Sequence, residues 1–129
     1  GSAMMQPPET KISAAIVALS APLREKYPRP TQIQTVIALT IAAWNLALTT
    51  GDVKNQLESQ LRDQRLAKLS ADDQNLIFAV VDTIIERKRR DYPGIHELII
   101  TDDLSHVEET MRLTVSTAPL PPEHWVNPG

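Results

Sequence analysis

The sequence predicts an α+β fold, mainly helical, in which about four helices precede a C-terminal two-stranded antiparallel β unit. Apolar residues recur at helical spacing up to about residue 90, whereas the stretch 111–117 alternates apolar and polar residues as a half-buried strand does. Only 4% of the residues are aromatic, so the core must be built from Ile, Leu, Val and Ala, which favours helices.

The length of 129 residues predicts one domain with one core, and we place this domain at residues 9–118. Residues 1–8 are interpreted as a disordered N-terminus that begins with a cloning remnant, GSAM, because these residues precede a methionine and have no structural pattern. Residues 119–129 are interpreted as a Pro-rich tail, since frequent prolines prevent regular structure.

The first helix is expected to start near Thr10 and to bury one apolar face. That face comprises Ile12, Ile16 and Leu19. Pro22 is expected to break the helix or to begin a short second turn, because proline removes an amide donor and crowds the preceding turn. The segment YPRPT, residues 27–31, then predicts an extended connection, with Thr31 as the N-cap of the next helix.

The stretch 31–49 predicts a second helix whose apolar residues spread over nearly all sides. A helix of this kind belongs in the middle of a fold. Gly51 suits the left-handed conformation that ends a helix, and Asp52 can begin the next one. Residues 52–69 predict a third helix at the surface, because a narrow apolar stripe runs between charged and amide side chains.

The fourth helix has the clearest start signal in the chain. Ser70 is expected to be its N-cap, and Asp72 and Asp73 in the first turn complement the positive end of the helix dipole. An apolar stripe then faces inward along residues 71–90. We therefore expect the second and fourth helices to form the core together.

Two β-branched stretches, 95–101 and 111–117, predict antiparallel strands joined by a loop at 102–110. A competing interpretation makes 103–113 a short helix, because Asp103 could cap it and acidic residues follow. We prefer the hairpin, which must pack on the helices or pair with another edge, since an isolated hairpin is marginal in water.

Several function classes find no support in the sequence. The absence of cysteine excludes a disulfide framework, a thiolate nucleophile and thiolate metal sites, and it fits a reducing compartment, so we expect a soluble cytoplasmic protein. There is no Gly-x-Ser-x-Gly motif and no glycine-rich phosphate loop, and the two internal glycines, Gly51 and Gly94, both sit at helix ends. We predict no cofactor, no metal site and no membrane span.

A basic cluster ends the fourth helix. Its members are Arg87, Lys88, Arg89 and Arg90, with Tyr92 close behind. Positive charge is favourable in the last turn of a helix, which alone can explain the cluster. The cluster is also a candidate interaction patch for an acidic protein partner. A nucleic-acid contact is the weaker alternative, because the net charge is −3, and it requires the basic side chains to share one face. The other members of that face would be Arg62, Arg65 and Lys68.

The segment 96–109 is rich in groups suited to acid–base or metal chemistry. These groups are His96, Asp102, Asp103, His106 and Glu109. They motivate an alternative hypothesis of a metal-dependent hydrolase. A solvated acidic hairpin loop is the preferred interpretation, because the histidine spacing matches no metal motif.

Two further residues are conspicuous. Asn45 is an amide within an apolar helix, so we expect it to hydrogen-bond to the hairpin or to a turn. Trp125 is a large apolar ring in the Pro-rich tail, and it should either pack on its own domain or anchor a partner. We add Trp125 to the candidate patch.

These observations favour a non-enzymatic protein-interaction module, with an accessory or regulatory role. We expect a protein partner or a homodimer, because free strand edges invite pairing with another strand. The alternatives are a nucleic-acid-associated protein that uses residues 87–90 and a metal-dependent hydrolase that uses residues 96–109.

Overall fold

The computed structural model describes residues 8–107 and 110–121 and has the predicted α+β architecture. Its described elements are helices α1 (Pro8–Lys26), α2 (Pro30–Ala47), α3 (Gly51–Arg65) and α4 (Ala71–Asp91), and strands β1 (Glu97–Val107) and β2 (Thr110–Pro119). The strands form a two-stranded antiparallel sheet. Residues 1–7, most of the tail and Trp125 lie outside the described residues.

Helix α2 occupies the centre, as its nearly all-round apolar surface predicted. It packs against α1, α4, β1 and, less extensively, α3, and half of its residues are buried. The pairing of α2 with α4 is the most extensive contact between helices, which agrees with the predicted core. Helix α1 completes this core with a buried face that includes Ile12, Ile16 and Leu19.

The prediction that Pro22 breaks the first helix is wrong, because α1 continues through it to Lys26. A proline inside a helix removes one amide donor and disturbs the turn before it. Here the side chains of Ser20 and Arg24 supply donors in that turn. The Ser20 hydroxyl and the Arg24 guanidinium both donate to the Val17 carbonyl, each at 2.9 Å. These two bonds hold the turn before Pro22 together, although the carbonyl that loses its amide donor to the proline is that of Ala18.

Two other helix limits differ from the predictions. Helix α2 begins one residue before Thr31, with Arg29 at the N-cap position, because Pro30 has the φ angle that the first helical position requires. Helix α3 ends at Arg65 rather than 69. In the connection that follows α3, the carbonyls of Leu66 and Leu69 accept hydrogen bonds from the Gln74 side chain.

The predicted left-handed conformation of Gly51 is confirmed, with a φ of 59°. Its predicted place as the cap of the second helix is wrong, because α2 already ends at Ala47 and Gly51 is the first residue of α3. The predicted start of the fourth helix is confirmed. The Ser70 hydroxyl accepts a hydrogen bond from the Asp73 amide at 3.1 Å, as expected of an N-cap.

The hairpin is confirmed, and the competing helix at 103–113 is wrong within the described residues. The strands are longer than predicted, because most of the expected loop at 102–110 pairs in register with β2, from Asp102 opposite Val115 to Val107 opposite Thr110. Pairing and packing outweigh the loop-like composition of this segment. A register shift lies between Ile99 and Thr101.

In the ranges 8–107 and 110–121, no helix combines the length and the apolar character that a bilayer crossing requires.

Candidate functional site

The structure directs the three arginines of the basic cluster to three different places. Arg87 donates to the Leu19 carbonyl of α1 at 3.1 Å. Arg89 donates to the Ala47 carbonyl at the end of α2, with its Nη2 atom at 3.3 Å. Arg90 pairs with the neighbouring Asp91, its Nε atom lying 2.9 Å from the carboxylate. Arg87 and Arg89 therefore tie α4 to backbone carbonyls of α1 and α2.

Lys88, the fourth member of the cluster, is buried, with 2% of its surface exposed. Its Nζ atom donates to the carbonyls of Tyr92 at 2.9 Å and Ile95 at 2.7 Å. The same atom lies 4.8 Å from the centroid of the Trp44 ring, a favourable position for a cation. Burial, with a smaller effect of the Arg89 charge, lowers the pKa of Lys88 to about 8. Lys88 thus holds the turn between α4 and β1.

Tyr92 belongs to the same internal cluster, since its ring centroid lies 6.1 Å from that of Trp44 and its side chain packs against the core. Lys88 and Tyr92 are therefore brought together around the Trp44 ring, and they do not form one outward surface with the three arginines. Trp125, the last member of the predicted patch, lies outside the described residues.

The groups proposed for hydrolase chemistry are only partly described. His96 precedes β1, and burial lowers its pKa. Asp102 and Asp103 are consecutive in β1, so their side chains point to opposite faces of the sheet. The side chains of His106 and Glu109 lie outside the described part of the chain. Within the described residues there is no group of three or more side chains suited to hold a metal ion.

Asn45 makes the predicted hydrogen bonds to the hairpin. Its amide nitrogen donates to the Ile99 carbonyl at 3.0 Å, and its amide oxygen accepts from the Ile99 N–H at 2.8 Å. The neighbouring Trp44 donates its indole N–H to the Glu97 carbonyl at 2.9 Å. Two adjacent side chains of α2 therefore fix the start of β1 on the helical core.

The feature that sequence reasoning missed is an apolar groove, open to solvent, between the C-terminal end of α1, the first half of α2 and the first half of α4. Its volume is about 470 Å³. Its apolar lining consists of Leu23, Tyr27, Val36, Leu39, Ile77 and Val80. The α1 part of this lining lies after Pro22, where the sequence predicted a break. An uninterrupted α1 is what creates the groove.

Polar and charged residues lie at the margin of the groove. Thr31, Gln32 and Thr35 line it along α2, and Lys26 is the one charged lining residue among those described. The Lys26 Nζ atom lies 5.7 Å from the centroid of the Tyr27 ring, which is 40% exposed. The groove therefore combines an apolar floor with one positive charge.

Comparison of the chain with protein-family models, with curated proteins and with solved structures finds no match.

Proposed function

We propose that the chain is a non-enzymatic protein-interaction module, with an accessory or regulatory role, that receives a partner in the groove between α1, α2 and α4. The observation that supports this is the groove itself: six apolar side chains line a depression open to solvent. Exposed apolar surfaces of this kind typically mark interaction sites.

The groove is large enough to receive apolar anchors from a partner. Burial of one Leu or Phe side chain contributes about 1.5–3 kcal/mol relative to its exposed state. Two or three such anchors would contribute about 3–9 kcal/mol before the cost of association, so a partner also needs contacts beyond the groove.

We expect a photo-crosslinking amino acid at position 35 to form a discrete adduct with a second protein in extracts of the cells that make this chain. Thr35 is exposed and lines the groove, so a bound partner would lie against it. Mass spectrometry of the adduct identifies the partner and its contacting segment.

Position 83 is the matched control for this experiment. Thr35 and Thr83 are both exposed helical threonines whose hydroxyls donate to the carbonyl four residues earlier, but Thr83 is absent from the groove lining. Equal labelling at both positions, or no adduct at position 35, would contradict the proposed function.

The nucleic-acid alternative remains a prediction. It required the basic residues of α3 and α4 to share one face, whereas Arg87 contacts α1, Arg89 contacts the end of α2 and Arg62 stacks on Phe78 at 5.0 Å. Titration with DNA and RNA at two salt concentrations tests it, because phosphate contacts weaken as salt rises. The hydrolase alternative also stays a prediction. We propose a cytoplasmic location, which the absence of cysteine supports.

A further inference from the structure

We propose that a pocket between α2, α3 and β1 binds a free α-amino acid with an aliphatic side chain. Arg65 of α3 binds the carboxylate of this ligand, and Asp102 of β1 binds its ammonium group. The pocket shares no lining residue with the groove, so this site is separate from the proposed docking surface.

The pocket is small and partly apolar. It opens between the C-terminal parts of α2 and α3 and the strand β1, and its volume is about 180 Å³. Sites for drug-sized ligands measure about 300–1,000 Å³, so this pocket suits a smaller molecule. Its apolar lining includes Ile41, Leu46, Leu57 and Leu61. These four side chains offer an aliphatic group a surface to pack against.

Helix α3 places polar side chains where packing alone would favour apolar ones. Leu57, Gln60, Leu61, Gln64 and Arg65 follow the spacing of one helix face, and all five line the pocket. Neither glutamine amide has a hydrogen-bond partner in the part of the chain that the structure describes. Both amides are therefore available to a polar ligand.

A register shift in the sheet turns Asp102 toward the helices. Residues opposite each other in an antiparallel pair lie on the same face, and Asp102 is opposite Val115, which is buried. Ile99 is also buried and precedes Asp102 by three residues, a spacing that puts two residues of a regular strand on opposite faces. The irregularity between Ile99 and Thr101 changes this alternation, as bulges beside functional sites often do. A carboxylate therefore lies on the helix-facing side of the sheet, at the pocket.

Arg65 and Asp102 supply one charge of each sign to this pocket. Among residues 8–107 and 110–121, neither side chain forms an ion pair. A guanidinium can bind a carboxylate through two parallel hydrogen bonds, and a carboxylate accepts hydrogen bonds from an ammonium group. A ligand with only one charge would leave the other lining charge unpaired. An α-amino acid satisfies both, because its two charged groups are attached to the same carbon.

The experiment is a titration of the full chain with L-leucine, followed through backbone amide NMR shifts. We expect saturable shifts at residues 57–65 and 99–103, with residues 31–36 of the groove unaffected. Two further probes each lack one charged group of leucine: isocaproate lacks the ammonium and isoamylamine lacks the carboxylate. Each should bind at least about fivefold more weakly than L-leucine, because a charge-assisted hydrogen bond is lost.

Two substitutions test which residue binds which group. Arg65→Gln should weaken the binding of L-leucine and isocaproate but not that of isoamylamine. Asp102→Asn should weaken the binding of L-leucine and isoamylamine but not that of isocaproate. Both residues are exposed, so the variants should remain folded, which circular dichroism checks.

Neighbouring charges provide the matched controls. Asp103 is the exposed carboxylate next to Asp102 in β1, and Arg62 is an exposed arginine of α3, and neither lines the pocket. Asp103→Asn and Arg62→Gln should leave the affinity for L-leucine within about twofold of that of the unaltered chain.

Three results would overturn the inference. L-leucine and the smaller L-valine and L-alanine could all fail to give saturable shifts up to about 10 mM. Isocaproate or isoamylamine could bind as tightly as L-leucine, which would show that the site does not recognise both charges. The control substitutions could also weaken binding as much as Arg65→Gln and Asp102→Asn do. None of these results bears on the groove, whose crosslinking test uses position 35.

Discussion

Replacing Trp44 by alanine is expected to lower the free energy of unfolding by about 4 kcal/mol, the range for removing a large aromatic side chain from a packed core. Trp44 is fully buried, its indole N–H binds the Glu97 carbonyl, and its ring lies beneath the Lys88 ammonium. The variant therefore loses apolar burial, an anchor of β1 and a cation contact together. Urea unfolding followed by circular dichroism measures the difference.

Two variants separate these contributions. Trp44→Phe retains most of the apolar ring but leaves the Glu97 carbonyl without its donor, so we expect a loss of about 1–2 kcal/mol. Val53→Ala in α3 is the surface control, since Val53 is 54% exposed, and it should stay within about 0.5 kcal/mol of the unaltered chain. A loss below about 2 kcal/mol for Trp44→Ala would show that Trp44 is not central to the core.

The second large effect is a rise in stability between about pH 8 and pH 10.5 that depends on Lys88. The folded-state pKa of Lys88 is lowered to about 8 from its ordinary 10.5. Within this window the unfolded chain binds a proton at Lys88 and the folded chain does not, so unfolding takes up a proton and becomes less favourable as the pH rises. Below pH 8 both states are protonated and the full cost of burying the ammonium persists. The increase should total about 2–3 kcal/mol.

Other lysines and tyrosines also titrate at high pH, so the informative quantity is a difference. The unfolding free energies of the unaltered chain and of Lys88→Met should diverge across this window. The rise in stability with pH that comes from Lys88 should be missing in the Lys88→Met variant. Arg90→Met is the matched control, because Arg90 is exposed and pairs only with its neighbour Asp91 among the contacts described here. Parallel profiles for the unaltered chain and Lys88→Met would contradict the burial of a titrating ammonium.

Local signals were sufficient to predict the helices and their order. Helix α2 is apolar on nearly every side, which predicted its central position. Ser70 predicted the start of α4, because an N-cap acts over only three residues. The strands that follow the helices were predicted from the alternation of apolar and polar residues. These features depend on neighbours in sequence, which is why a single sequence shows them.

The functions of the basic residues could not be predicted in the same way. Arg87 binds a carbonyl 68 residues away in sequence, and Arg89 binds one 42 residues away. Composition shows a charge but not the distant backbone oxygen that the fold places beside it. Asn45 was more predictable, because an amide in an apolar helix needs a partner, although the identity of Ile99 required the fold.

The groove was missed because the sequence predicted a helix break at Pro22. A break at Pro22 would have moved Leu23 and Tyr27 away from α2 and α4. Without these two side chains, the apolar residues of α2 and α4 are expected to be part of the buried core and not the lining of a groove. Helix α1 instead continues to Lys26, and its last turn forms one wall of the groove.

The most direct test of the groove as a docking surface is a titration of the chain with indole, followed through backbone amide NMR shifts. Indole stands for an aromatic anchor of the partner. We expect shifts that saturate and that concentrate at residues 31–39 and 76–80, with α3 unaffected. Shifts centred on any other surface, or none at saturating indole, would contradict the account.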